Sequence, residues 1–334
     1  MQNWRSRKVI MGMSQGQELI HLKSDRARDN ISREQYWEAV AEALIGAERV
    51  TRLLSQGTEV RIRPEGLLLE WNEPFSGVRL IFELNPHDLR TFPPTLVAEG
   101  SYEPVLSSLL FSLIRLSETF VDVGANIGLY TVGGLMMKQG IRVISYEPNP
   151  VVFSTLGRNL DLNNCLDKPS LRNVALSNQV NGSVDFFVPK FTGSGGGSMS
   201  NLHAEEGSPM VQRISTTTLD LDLQDLGGVP VEVMKVDVEG HEFEVIQGGL
   251  ETIRQYSPTI IIELLRKWMD PFGTHPQEVM SLLVGGEGYE AFGITNDGCK
   301  RISEITEDTV ETNFVFCHPK RQDHLTQVVA MLAK

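Results

Sequence analysis

The chain has 334 residues, and its 30 Lys and Arg against 43 Asp and Glu give a formal net charge of −13. Hydrophobic residues make up 41% of the chain and charged residues 22%, proportions typical of a globular protein that can bury a core. The acidic balance argues against a nucleic acid partner, because contact with a phosphate backbone requires a basic surface.

Three cysteines, Cys165, Cys299 and Cys317, lie far apart and form no CxxC pair. This spacing predicts reduced thiols rather than a disulfide framework or a zinc site. The apolar stretch near the start is too short for a secretory signal, and no apolar run approaches the roughly 18 residues that span a bilayer. We therefore expect a cytoplasmic protein without a membrane span.

The first hundred residues predict a small α+β extension. Apolar residues recur at helical spacing over 31–54, and strand-like segments separated by proline and glycine follow over 60–84. We place a domain boundary after this region, with an N-terminal extension over 1–100 and a larger domain over 101–334.

The larger domain alternates apolar strands with helical segments, which is the pattern of a mostly parallel α/β sheet. The predicted strands are 120–123, 142–147, 171–177, 231–238, 259–264 and 312–319. The predicted helices are 128–139, 150–163, 241–254, 275–284 and 320–333. A glycine-rich stretch over 192–200 predicts a surface loop, which is either a plain excursion or a ligand-contacting segment.

The first motif is a glycine turn that follows the strand FVDV. Gly124 and Gly128 remove Cβ atoms where a ligand approaches the backbone, and a helix begins directly after them. Asn126 occupies the place where a third glycine often stands, and Asn tolerates the left-handed backbone that such a turn needs.

An acidic residue ends the next strand, in the segment YEPNP. Glu147 lies 19 residues after Gly128, and a carboxylate about 20 residues beyond a glycine turn is placed to accept the hydroxyls of a ribose. Asn149 can cap the helix that follows. The combination predicts a nucleoside-containing cofactor.

The charge beside the turn favours one such cofactor. A dinucleotide site prefers Gly-x-Gly-x-x-Gly, whereas this turn is Gly-x-x-x-Gly with Asp122 just before it. A carboxylate there repels a pyrophosphate and suits a cation. S-adenosylmethionine carries a sulfonium and an ammonium and has no phosphate, so we expect it as the cofactor.

A second acidic motif, MKVDVEGHE, ends the strand predicted over 231–238. Asp237 and His241 lie at the edge of the sheet where a ligand of such a fold binds. Carboxylates here, with Glu263 at the next strand end, also suit a divalent cation. Because no established metal-ligand spacing is present, we predict no metal site.

Several spaced blocks together resemble one family. The blocks DVGANIG, YEPNP, NVALS, KVDVEGHEFEVIQGG and IIIEL occur in that order, and this part of the chain, residues 100–265, resembles the FkbM family of S-adenosylmethionine-dependent methyltransferases. The resemblance implies a class I, Rossmann-like methyltransferase fold of seven strands with the last antiparallel. It also implies methylation of a hydroxyl oxygen, often on a sugar or another small molecule.

The resemblance also assigns roles to individual positions. It implies that the methionine part of the cofactor lies against the glycine turn and that Glu147 holds the ribose, with Asn149 nearby. Asn173 and Ala175 border the adenine, and Asp237 lies beside the sulfonium and the acceptor. The positions that contact the methionine part are Asp122, Gly124, Asn126 and Gly128.

Two residues are candidate catalytic bases. Asp237 either accepts the acceptor's proton or is a structural acid that holds a turn. His241 either acts as a neutral base, its pKa lowered by a helix N-terminus, or is a surface residue at a helix start.

Two other functions stay open at this point. One is a nicotinamide-dependent oxidoreductase, which needs a pyrophosphate cradle. The other is a module of the same fold that binds S-adenosylmethionine without catalysis. The expected partner under the leading hypothesis is a small-molecule or glycan hydroxyl acceptor, and the sequence leaves the oligomeric state open.

Overall fold

The computed structural model describes residues 58–63, 66–74, 76–84, 96, 101–165, 169–180, 182–188, 198–199 and 210–332. The chain divides into two compact units, Met1–Tyr102 and Glu103–Lys334. The helix predicted over 31–54, and nearly all of the predicted loop over 192–200, lie outside the described residues. In the part of the chain that is described, no helix combines the length and apolar character needed to cross a membrane.

The first unit contains a three-stranded antiparallel sheet in the order β1-β2-β3. Its strands are β1 Thr58–Arg63, β2 Gly66–Asn72 and β3 Arg79–Leu84. Alternate residues of β3 are buried, as expected for a sheet with one packed face. The strands predicted over 60–84 are confirmed.

The second unit is built around an eight-stranded sheet and a three-stranded one. Its strands, in chain order, are β4 Thr119–Val123, β5 Arg142–Tyr146, β6 Ser170–Arg172, β7 Ala175–Leu176, β8 Gly182–Val188, β9 Met210–Thr217, β10 Val233–Val236, β11 Thr259–Glu263, β12 Glu290–Thr295, β13 Gly298–Ile302 and β14 Asn313–Cys317. The large sheet has the order β6-β5-β4-β10-β11-β14-β12-β13, and the small one β7-β9-β8.

The large sheet confirms the predicted class I methyltransferase fold. Strands β6, β5, β4, β10 and β11 are parallel, and β14 inserts antiparallel between β11 and β12. The last strand is therefore the antiparallel one, as expected. β12, which the sequence analysis did not place, completes the seven expected strands. β13 is the addition: it pairs antiparallel with β12 at the edge of the sheet, as an eighth strand that runs in the same direction as β14.

Nine α-helices are described in the second unit. They are α1 Pro104–Leu116, α2 Leu129–Met137, α3 Pro150–Leu162, α4 Leu219–Asp225, α5 Glu242–Gln247, α6 Leu250–Tyr256, α7 Arg266–Met269, α8 Pro276–Met280 and α9 Gln322–Ala330. The helices predicted near 128–139, 150–163 and 320–333 are confirmed, and the helix predicted over 275–284 is α8 followed by a π-helical turn, Ser281–Gly286.

Two predicted elements are each divided. The strand predicted over 171–177 is split into β6 and β7, which belong to different sheets. The helix predicted over 241–254 is two helices, α5 and α6. The carboxylate of Asp220 accepts hydrogen bonds from the amides of Glu251 and Thr252 at 3.0 and 2.8 Å. Asp220 therefore caps α6 from 31 residues away, and a local pattern carries no signal for such a cap.

The two faces of the large sheet differ in chemistry. One face carries alternate apolar residues of the strands, which pack with α4, α5, α6 and α8 into one buried cluster. The opposite face, toward α1 and α2, carries buried polar residues close to the carboxyl ends of the central strands. This polar edge positions the candidate site.

Candidate active site

A row of buried polar side chains crosses three neighbouring parallel strands. The register pairs Asp122 of β4 with Ser145 of β5 on one side and with Lys235 of β10 on the other. All three are at most 5% exposed. The hydroxyl of Thr131, on α2, donates to Asp122 Oδ2 at 2.6 Å and lies 2.7 Å from Ser145 Oγ. The row is thus a connected polar layer beneath the carboxyl edge of the sheet.

The glycine turn has the backbone that the sequence predicts. Gly124 has φ +79°, Gly128 has φ +99° and Asn126 has φ 52°. A Cβ at Gly124 would lie 1.8 Å from the carbonyl oxygen of Asp237, and one at Gly128 would lie 2.3 Å from Leu156 Cδ1. Sequence analysis explained these glycines by the approach of a ligand, whereas the structure gives each a cause within the chain.

Glu147 is tied to the glycine turn by its side chain. Its Oε2 accepts a hydrogen bond from the amide of Asn126 at 2.9 Å, and its Oε1 accepts one from the amide of Asn149 at 2.8 Å. The residue is 7% exposed. Burial raises the pKa of the Glu147 carboxyl to about 7, against the lowering effect of the two amides. Each carboxylate oxygen keeps a second lone pair for a ligand hydroxyl.

Asn149 and Asn173 shape the turn after β5. Asn149 caps α3, since its Oδ1 accepts from the amide of Val151 at 3.0 Å, as the sequence predicts. Asn173 Nδ2 donates to the carbonyls of Glu147 and Pro148 at 2.8 and 3.0 Å. Ala175 is 3% exposed and packs in the small sheet's own core. Asn173 therefore lies at the predicted ribose end of the site, and Ala175 lies in the packing beside it.

Asp237 is joined to a buried lysine that the sequence analysis did not single out. Lys235 Nζ donates to Asp237 Oδ2 at 2.8 Å, and the two side chains are 6% and 35% exposed. The same Nζ lies 5.3 Å from the centroid of the Tyr130 ring, within cation–π range. Asp237 therefore lies at the more exposed end of the polar layer, and its only described cationic partner is the more deeply buried Lys235.

Glu103, just before α1, extends this group. The hydroxyl of Tyr130 donates toward Glu103 Oε2 at 3.4 Å and lies 3.1 Å from Ser107 Oγ. Burial and the nearby Asp237 raise the pKa of the Glu103 carboxyl, with Lys235 opposing them. Sequence reasoning missed Glu103 because more than 130 residues separate it from Asp237.

Glu263 ends the neighbouring strand β11, opposite Asn313 of β14 in the register. Burial raises the pKa of the Glu263 carboxyl, and the charges of Asp237 and Glu239 add to the effect. No lysine or arginine of the described residues pairs with it. Glu263 therefore adds a carboxyl without a described cationic partner to this edge of the sheet.

His241 stands at the start of α5, but its surroundings are not those of a surface residue. Its Nε2 lies 3.2 Å from Ser177 Oγ and its Nδ1 lies 3.4 Å from Glu244 Oε2. The ring centroid is 5.3 Å from that of Phe272. Burial lowers the pKa of His241 to about 4. The lowering was predicted, but its cause is burial rather than the helix N-terminus.

Glu242 closes the turn between Asp237 and α5. Its Oε1 accepts from the amides of Val238 and Gly240, both at 3.1 Å. The Ser198 hydroxyl donates to the carbonyl of Glu239 at 2.9 Å from the other side of the turn. Burial raises the pKa of the Glu242 carboxyl to about 7. These contacts fix the backbone that presents Asp237 and His241.

The acid-rich edge fits a cationic ligand. Asp122 Oδ1 is buried and has no hydrogen-bond partner among the described residues. Four further carboxylates, those of Glu103, Glu147, Asp237 and Glu263, lie along the same edge, with Lys235 among them. Within the described residues no cluster of His, Cys, Asp and Glu has the arrangement of a metal site.

Comparison with known proteins places these features in a family context. The profile of the Methyltransferase FkbM domain matches residues 122–291. The chain is 24% identical over 231 residues to Methyltransferase sdnD of Sordaria araneosa, covering 60% of this chain and 84% of that protein. It is 30% identical over 163 residues to the Hexuronic acid methyltransferase AglP of Haloferax volcanii, covering 48% of this chain and 59% of that protein.

Solved structures give a fainter likeness. The crystal structure of Methyltransferase FkbM from Methylobacillus flagellatus KT aligns with a TM-score of 0.37 at 17% identity, covering 67% of this chain and 52% of the other.

Proposed function

This chain belongs to the Methyltransferase FkbM domain family, and on that premise we propose that it transfers the methyl group of S-adenosylmethionine to a hydroxyl oxygen of a small molecule, sugar or glycan. That it is a methyltransferase follows from the family. The oxygen specificity is the proposal, and the name of the relative AglP, a hexuronic acid methyltransferase, supports a sugar as the acceptor class.

One hydrogen bond supports the proposed position of the cofactor. Glu147 accepts the amide of Asn126 within the glycine turn, so the ribose-binding acid and the turn form a single unit. In the proposed complex Glu147 holds the ribose hydroxyls through its remaining lone pairs. Asp122, Gly124, Asn126 and Gly128 border the methionine part.

The adenine end of the proposed complex lies beyond Glu147. Asn149 and Asn173 shape the turn there. In the proposed complex Ala175 borders the adenine ring. Asn173 holds the carbonyls of two successive residues, so its side chain acts through the backbone of the turn.

The chemistry is a displacement at a methyl carbon. When bound, S-adenosylmethionine supplies a methyl group on a good leaving group, and the oxygen–carbon bond forms as the sulfur–carbon bond breaks. Asp237 takes the proton of the acceptor hydroxyl, and the other product is S-adenosylhomocysteine. Alignment of the reactants contributes about 7–11 kcal/mol in favourable cases, and a general base contributes about 10²–10⁴-fold in rate.

His241 is the second candidate base. With its pKa lowered to about 4 by burial, the imidazole is neutral at pH 7 and can accept a proton. Its described contacts are Ser177, Glu244 and Phe272. In the proposed complex it therefore meets the acceptor from the side of α5, and not from the side of Lys235. We call the space along the acid-rich edge, between these two sides, the crevice.

Ligand titration tests the proposal directly. We expect S-adenosylhomocysteine to raise the melting temperature of the purified full-length chain, and NAD to leave it unchanged. Incubation with S-adenosylmethionine carrying a labelled methyl group and a panel of hydroxylated acceptors, sugars included, should transfer label to oxygen. Stabilisation by NAD alone would support the oxidoreductase alternative. Tight cofactor binding with no transfer to any acceptor would support the non-catalytic module.

A further inference from the structure

Lys235 is a cation enclosed by the sheet. It is 5% exposed on the short strand β10. Its neighbours on that face are Asp122 on β4, through the register, and Tyr130 on α2. A buried ammonium is costly unless it is paired and hydrogen-bonded. The structure supplies the pair, because Lys235 Nζ donates to Asp237 Oδ2 at 2.8 Å.

The charges that face Lys235 come from two other elements and from the end of its own strand. Asp122 lies on β4, Glu103 lies just before α1, and Asp237 lies beyond the end of β10 itself. These acids outweigh burial and raise the pKa of the Lys235 ammonium. The Lys235 ammonium is therefore charged at neutral pH. Of the three acids, only Asp237 receives a described hydrogen bond from it.

Asp237 differs from its acidic neighbours in having a described ion pair with a lysine. Glu103 and Glu263 lie in the same crevice without an ion pair to Lys or Arg among the described residues, and burial raises the pKa of each carboxyl. Glu239 and Glu242 add negative charge from the turn after Asp237. An opposite charge favours the ionised form of a carboxylate, and crowding by like charges disfavours it. Asp237 is thus the one acid of this group that receives a described hydrogen bond from the lysine.

We propose that Lys235 is a positioning residue that holds Asp237 by one carboxylate oxygen and leaves the other oxygen for the acceptor hydroxyl. This inference rests on the proposed function. The ion pair restrains the carboxylate of a side chain that is 35% exposed, so that its second oxygen keeps one orientation toward the acceptor. A further consequence is electrostatic: Lys235 offsets part of the acidic charge that a sulfonium meets.

The test compares Lys235→Met and Lys235→Arg with a matched control, Arg172→Met. Arg172 also pairs with a buried acid, Asp222, which accepts from the Tyr146 hydroxyl at 2.9 Å. That group lies on the opposite face of the sheet, where Tyr146 joins the apolar cluster. Both Met variants therefore remove an ion pair, but only one removes it from the crevice. Should Lys235→Met not fold, Lys235→Gln gives the same comparison.

Two readouts are expected to move only in the Lys235 variants. In Lys235→Met we expect kcat to fall about 100-fold with KM within about threefold, because the base is misplaced after binding. Calorimetric titration should show the affinity ratio of S-adenosylmethionine to S-adenosylhomocysteine rising by at least about threefold, since a cation near the sulfonium is gone. Lys235→Arg should restore the ratio and part of kcat.

The outcomes separate the two claims. If the wild-type chain binds neither compound, the proposed function is wrong and this inference falls with it. If the wild type binds both, and Lys235→Met matches Arg172→Met in affinity ratio and in kcat, the role of Lys235 is overturned while the proposed function stands.

Discussion

The Cα of Gly124 faces the carbonyl oxygen of Asp237 so closely that a Cβ built on the glycine would lie 1.8 Å from that oxygen. The two strand ends that carry the proposed cofactor turn and the proposed base therefore touch through their backbones. Asp237 reinforces the contact, because its amide donates to the carbonyl of Val123 at 3.0 Å. The proximity of the proposed methionine pocket and the proposed acceptor side thus follows from backbone contacts.

The first prediction concerns this contact. We expect Gly124→Ala to lower the free energy of unfolding by about 3 kcal/mol or more, because the new Cβ meets fixed backbone and the residue has positive φ. Urea denaturation measures the loss. The control is Gly140→Ala, since Gly140 has φ +76° and no atom within 4 Å of its built Cβ. Equal stability of the two variants would contradict the close contact.

The second prediction concerns the ribose. Glu147→Gln keeps the shape of the side chain but cannot carry the negative charge that the carboxyl has above its pKa of about 7, and a hydrogen bond to a charged group contributes about 1.5–3 kcal/mol. We expect the affinity for S-adenosylhomocysteine to fall about 10- to 100-fold, as measured by calorimetry. Glu118→Gln, which alters an exposed carboxylate paired with Lys138, should bind normally. Normal binding by Glu147→Gln would remove residue 147 from the cofactor site.

The third prediction is a pH dependence of folding stability. Burial raises the pKa of Glu242 to about 7 in the folded chain, above the ordinary value near 4.5. The folded state then holds a proton that the unfolded state has lost, so this contribution to stability is complete below about pH 4.5 and disappears as the pH rises to about 7. Chemical denaturation at stepped pH should show the decline, and Glu242→Gln should make it shallower. An unchanged slope in that variant would exclude Glu242 as its source.

The fourth prediction separates a catalytic histidine from a structural one. We expect His241→Ala to slow turnover by at least about 100-fold if the imidazole is the base, with affinity for S-adenosylhomocysteine near normal. His324, which lies 2.8 Å from Thr259 Oγ1 and 3.1 Å from Ser117 Oγ, provides a buried control. His324→Ala should lower stability and spare the rate per folded molecule. An unchanged rate in His241→Ala would leave Asp237 as the sole candidate base.

Local sequence signals predicted much of the fold. The strand, glycine turn and helix around Gly124 were placed correctly because the turn, the cap and the apolar periodicity all act within a few residues. The cap by Asn149 was predicted for the same reason. Besides the strands β12 and β13, which were not placed, two predicted elements were wrong as single units: the strand over 171–177 and the helix over 241–254. In both cases a partner far along the chain sets the boundary between the two elements. β7 pairs with β9, and Asp220 caps α6.

The sequence alone indicated the family, the order of the parallel strands, and the positions of the strand-end acids, because each depends on short spacings along the chain. Only the tertiary structure decided that Lys235 stands behind Asp237 and that Glu103 joins them. It also decided that His241 is buried against Ser177. The physical reason is that charge pairing and desolvation depend on which side chains meet in space. Here the partners lie up to 134 residues apart, and the periodicity of a sequence gives no information on contacts over such a distance.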